Sequence, residues 1–125
     1  MTEPSTTAML TGHLQRAGDQ VRAANHASYH VSGEVSDYYA AFGAVVELVR
    51  YLGQTLDHLR RVVEHAESDR YRHDTGGDVT AELATAAAAL TAARRATDTL
   101  RGDLDTAWSA IGHLAPTNPP ERGSV

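Results

Sequence analysis

The sequence predicts an all-α protein: a three-helix up-down-up bundle dominated by a long antiparallel helical hairpin with heptad seams. Three observations carry this. Apolar residues recur in alternating steps of four and three along three separate stretches. The Gly76-Gly77 pair and Pro116, Pro119 and Pro120 fall outside those stretches, where helices must stop. No strand-type alternation competes anywhere. A chain of 125 residues suits one domain, read as 1–115, with a Pro-rich tail at 116–125 expected to be disordered.

The first helix is expected from about Thr7 to Ala27, with the stripe Leu10, Leu14, Ala17, Val21 and Ala24. Gly12 and Gly18 weaken it by about 1 kcal/mol each relative to alanine. His30-Val31-Ser32-Gly33 reads as a turn, after which Ser32 or Ser36 can cap the next helix. The second helix is expected from Val35 to Glu67. Its stripe is Tyr38, Phe42, Val45, Val49, Leu52, Leu56, Leu59, Val63 and Ala66, widened by Val35, Tyr39, Val46 and Val62. Ser68 to Gly77 forms a loop. Asp78 then caps a third helix, and Glu82 complements its N-terminal dipole. The third stripe runs through Val79, Leu83, Ala86, Leu90, Ala93, Thr97, Leu100, Leu104, Ala107, Ile111 and Leu114, and Pro116 ends it.

A fold at about Arg72 sets Leu56 near Leu90 and Val45 near Leu100. Tyr38 and Phe42 then approach Leu104, Ala107 and Trp108. Trp108 is expected to pack against Tyr38, Tyr39 or the first helix, with its N–H on a partner. Thr97, a polar residue in an apolar stripe, is expected to bond the carbonyl of the preceding turn. A first helix of some twenty residues reaches only about 30 Å and is expected to cover the open end of the hairpin. That leaves Leu56, Leu59, Val62, Val63, Leu83, Ala87 and Leu90 as an apolar interface at the loop end. The expected partner is the protein itself, as a homo-oligomer, or another helical protein, with the alanines of the third helix allowing close approach.

Bulk composition excludes several functions. With no cysteine there are no disulfides, thiolate zinc sites or cysteine nucleophiles. A net charge of −5 argues against nucleic-acid binding. No secretory signal or bilayer-length apolar run is evident, so a cytoplasmic protein without membrane association is expected. All 11 basic residues are arginine, as GC-rich codon usage produces in actinobacteria.

Two rival chemistries are visible. His26 and His30 share one helical face, as do His58 and His65, but a metal needs three or four converging ligands, and no Glu-x-x-His occurs. Arg60, Arg61, Arg70, Arg72, Arg94 and Arg95 can form a basic patch, with Tyr71 beside it, but Asp69, Asp74, Asp78 and Glu82 interleave. Arg60 and His65 also make an Arg-x4-His spacing that resembles the motif of the HEPN helical ribonucleases. The resemblance covers those two residues and implies an RNA-cleaving pair. Arg61 stands where that family usually has a polar residue, and the acidic balance does not suit RNA. The hairpin is similar in architecture to the small secreted Trp-x-Gly proteins, although Trp108 lies late in a helix rather than in a turn. No catalytic residue, cofactor or metal site is expected: the reading is a non-enzymatic helical interaction or oligomerisation module.

Overall fold

A computed structural model of the chain describes residues 5–27 and 33–117. The chain is all-α, and no strand occurs among the described residues. It divides into two units, Met1–Gly33 and Glu34–Val125. The His30–Ser32 part of the expected turn and residues 118–125 of the expected tail lie outside the described residues.

The first unit holds α1, Thr6–Ala27. It starts one residue before the expected position because Ser5 caps it, its hydroxyl accepting the Ala8 N–H at 3.0 Å. No residue of α1 is buried; Leu14 and Val21 of its stripe are exposed. Asp19 and Arg22 pair one turn apart at 3.5 Å.

The second unit is the hairpin. A 3-10 turn, Val35–Tyr38, leads into α2, Tyr39–Glu64. Of the two candidate caps, Ser32 lies outside the described residues and Ser36 falls within the turn; Glu34 holds the cap position, its N–H donating to the Asp37 carboxylate at 2.9 Å. Gly33 before it takes φ +86°, a left-handed conformation that glycine adopts without strain. The α2 helix stops at Glu64, short of the expected Glu67. Its last turn tightens, with His65 N–H on the Arg61 carbonyl and Ala66 N–H on that of Val63. The His65 ring Nδ1 sits 2.8 Å from the same Arg61 oxygen, satisfying an end carbonyl. A second 3-10 turn, Ser68–Arg70, follows.

Between this turn and α3, Gly76 adopts φ +80°. His73 organises the segment: the Thr75 N–H donates to its Nδ1 at 3.1 Å, and its Nε2 lies 3.4 Å from a Glu82 carboxylate oxygen. The third helix, α3, runs Val79–Gly112. Asp78 caps it as expected, accepting the Ala81 N–H at 3.3 Å. Thr97 bonds the Arg94 carbonyl at 2.7 Å, also as expected.

The α2–α3 register is read from three close approaches. Tyr39 lies against Gly112, Trp108 against Gly43, and Arg94 and Thr97 against Gly53. The midpoint of the Tyr39–Gly112, Gly43–Trp108 and Gly53–Thr97 pairs falls at Thr75–Gly76, so the fold occurs there and not at Arg72. The seam of α2 keeps Val49 of the expected stripe and Val46 of its flank, with Phe42, Leu56, Leu59, Val63 and Ala66 half-buried, but its centre is shifted toward Gly43 and Gly53. Gly43, Val46, Val49 and Gly53 are buried, whereas Val45 and Leu52 are 43% and 44% exposed. Glycine causes the difference. Without Cβ atoms at positions 43 and 53, α3 approaches closely there and seats an indole and a guanidinium, and the larger valine and leucine turn aside.

Candidate functional site

Three faces of the hairpin differ in chemistry. The seam is thin. Val46 and Val49 are the buried hydrophobic residues among those described, and no side chain is fully enclosed. At the open end Trp108 packs on Gly43 and on the Tyr39 ring, with centroids 5.6 Å apart. The expected hydrogen bond of its indole is absent: Nε1 is buried with no partner.

One side of the seam is charged. Arg60 bridges Asp57 and Glu64, both at 2.8 Å, and Arg94 sits 3.7 Å from Asp98. The Arg60 hydrogen bond holds the Asp57 carboxyl below the usual carboxylate range, with Arg61 and, across the hairpin, Arg94 adding to the effect. A depressed carboxylate pKa stabilises the fold above the unfolded value near 4, and that contribution disappears as pH falls through the folded value. An Asp57→Asn variant should therefore melt below the parent at neutral pH. The two melting curves should converge in acid, as the pH falls through the depressed folded-state value; a separation that does not shrink on acidification would contradict the pairing.

The other side is apolar. On α2, Val45, Leu48, Leu52, Leu59 and Val62 follow in helical steps, and all but the half-buried Leu59 are exposed. At about 100° per residue Val45, Leu48, Leu52 and Leu59 point roughly a third of a turn from the Gly43–Gly53 seam, and Val62 nearly half a turn. On α3, Ala86, Ala89, Ala93, Leu100 and Ala107 lie about a quarter turn from the Arg94–Trp108 face. Because α3 runs opposite to α2, these two offsets turn to the same side of the hairpin. Asp57 and Arg94, offset the other way on each helix, meet on the opposite side, which is the electrostatic contact just described. The apolar side therefore has a bulky wall from α2 and a small-residue wall from α3.

The expected interface residues distribute unevenly over this frame. Val62, the most exposed at 54%, lines a groove of about 420 Å³ at the loop end with Val63, Leu83, Ala66 and Tyr71. Leu59 is half-buried on the apolar side. Leu56 and Leu90 are half-buried at the seam, and the helical phase of Ala87 turns it toward the charged side. Val45, Leu48 and Leu52, absent from the expected set, extend the surface toward the open end. Their signal was present in the sequence as a second four-and-three phase, one step before Val46, Val49 and Gly53.

The rival sites do not assemble. Among the described residues, no group of three or more His, Asp or Glu side chains is placed to hold a metal ion, and His30 lies outside them. Of the six arginines of the basic patch, Arg60, Arg70 and Arg94 each pair with a carboxylate. The two residues of the Arg-x4-His spacing are engaged separately, Arg60 with Asp57 and Glu64, His65 with the Arg61 carbonyl. No described helix is long and apolar enough to cross a membrane.

Fold and surface together define a class: an all-α protein built on a helical hairpin with one charged and one apolar side. Compared with known protein families, curated proteins and solved structures, the chain has no match.

Proposed function

We propose that this protein is a non-enzymatic helical interaction or oligomerisation module, acting in the cytoplasm, whose apolar hairpin side packs against helices of a second copy or of another protein. One observation carries the reading. Val45, Leu48, Leu52 and Val62 stand exposed in helical spacing along one side of α2, while burial of hydrophobic residues in the hairpin is confined to Val46 and Val49. Two helices bury little surface alone, and large contiguous apolar patches on soluble proteins mark sites of association. The exposed stripe is wider than the loop-end surface expected from sequence, and its spacing suits a partner helix laid along it.

The test is Leu59→Asp, with sedimentation equilibrium and thermal melting on the same samples. The expected result is loss of association at micromolar concentration with the helical content retained. A protein that remains associated, or one whose global stability falls as for a buried charge while association is unchanged, would contradict the proposal.

A further inference from the structure

We infer that the partner on this surface is a second copy of the chain, and that the two hairpins pack face to face about a two-fold axis parallel to their helices, with both loops at one end. The inference rests on the interaction reading above and specifies its partner. The arrangement is a four-helix bundle in which α2 of each copy lies over α3 of the other.

Charge favours a like partner. In a symmetric interface the same patch occurs on both sides, so charges near the axis meet their like. The apolar side has none to oppose: Val45, Leu48, Leu52, Thr55, Leu59 and Val62 form its α2 wall, and alanines with Leu100 form the α3 wall. Of the charges near the hairpin seam, Asp57, Arg94 and Asp98 are offset to the opposite side, while Arg60 and Glu64 lie in the seam phase itself, and all of them pair within the chain.

Area is sufficient. From Val45 to Val62 the surface runs about 25 Å at 1.5 Å per residue, and two helices side by side are about 20 Å wide. Each copy then contributes on the order of 500 Å² in projection and more in corrugated accessible surface. The total is on the order of 1,200 Å², the lower edge of stable specific interfaces.

Shape selects the axis. Leu59 and Val62 rise from the α2 wall at the level where the α3 wall carries Ala86, Ala89 and Ala93. An axis parallel to the helices sets these large residues of one copy over the alanines of the other. An axis perpendicular to them would stack α2 on α2, leucine on leucine, and leave the two alanine walls facing across a gap. Close packing requires large against small, so the first arrangement is favoured. The alanine-rich half of α3 thus receives the leucine ridge of the other copy.

Because the chain contains no cysteine, Arg72→Cys gives a single attachment point for a spin label, in the loop. The full-length labelled protein is examined by sedimentation equilibrium and by dipolar distance measurement. The expected result is a dimer with labels within about 30 Å, against about 50 Å or more if the loops lay at opposite ends of helices this long. Ala93→Leu, which fills the small wall, should weaken dimerisation about tenfold or more while leaving helical content intact. A dimer with labels far apart overturns the proposed axis. A monomer at 100 μM in which Leu59→Asp leaves melting unchanged overturns the second copy as partner and leaves the interaction reading standing. A monomer in which Leu59→Asp sharply lowers the melting temperature overturns both, because that side is then internal core.

Discussion

A Gly43→Leu variant should be destabilised by about 3 kcal/mol, a fall in melting temperature of roughly 12–20 °C for a unit of this size. A Cβ built at Gly43 would stand 2.7 Å from Cζ2 and 3.0 Å from Cε2 of Trp108, inside any ordinary carbon contact. The indole cannot yield cheaply. It packs on the Tyr39 ring, one turn before Gly43 on the same helix, so a displacement must break that ring contact as well. Glycine in a helix interior costs about 1 kcal/mol relative to alanine, so an exposed one is improved by replacement. Gly102 supplies the comparison: it lies within α3, and nothing approaches a Cβ there within 4 Å. Gly102→Ala should raise stability by up to about 1 kcal/mol, whereas Gly43→Ala should be neutral or worse despite the same gain in propensity. Circular dichroism melts report the sign. Emission from Trp108, the sole tryptophan, should shift to the red in Gly43→Leu if the ring is displaced into water. A stabilised Gly43→Ala with unchanged emission would show that Trp108 does not sit over that glycine.

The helices were legible in the sequence, and the reasons are local. Asp78 before Val79 is a capping residue ahead of an apolar-periodic run, and it caps. The α3 stripe has one dominant phase, so its positions Leu83, Ala86, Leu90, Ala93, Thr97, Leu104, Ala107 and Ile111 are half-buried as expected, whereas Leu100 is exposed and Leu114, beyond the helix end at Gly112, is exposed too. On α2 two phases compete. Val45, Leu52 and Leu59 form one; Val46, Gly53 and Arg60 form the other. A count of hydrophobicity selects the first. The hairpin uses the second, because the facing positions on α3 are Trp108, Arg94 and Thr97, and an indole and a guanidinium need hollows rather than ridges. The pattern of one helix does not contain that information. It comes from pairing the glycines of α2 with bulky residues at the matching level of α3, and the level depends on a fold at Thr75–Gly76. The same rotation explains the candidate surface. The side chains displaced from the seam, Val45 and Leu52, are among those that populate the exposed apolar side. The end of α2 departs from expectation for a different reason: no glycine follows Glu64, and the helix is closed by the His65 ring and a tightened last turn.

Val45 and Val46 convert this rotation into a large expected effect. They are adjacent and chemically identical, yet Val46 is 8% exposed in the seam and Val45 is 43% exposed on the apolar side. Val46→Asp places an unpaired carboxylate between α2 and α3, beside Val49 and close to the Gly43 and Gly53 approaches. The charge must be hydrated or neutralised there, and either route opens the seam. The expected loss is about 3–5 kcal/mol, within reach of the whole stability of a small helical unit. The loss should be independent of protein concentration, since the seam lies within one chain. Val45→Asp gives the opposite signature. In the isolated chain its carboxylate remains in water, and the expected change is within about 0.5–1 kcal/mol. Where hairpins associate, the carboxylate is buried in the interface without a cation, so the melting temperature of Val45→Asp should fall progressively below the parent's as concentration rises. Melting both variants and the parent over a hundredfold range of concentration separates the two roles. If Val45→Asp unfolds the chain at every concentration and Val46→Asp does not, the seam runs through Val45, Leu52 and Leu59, and the apolar side described above is the interior.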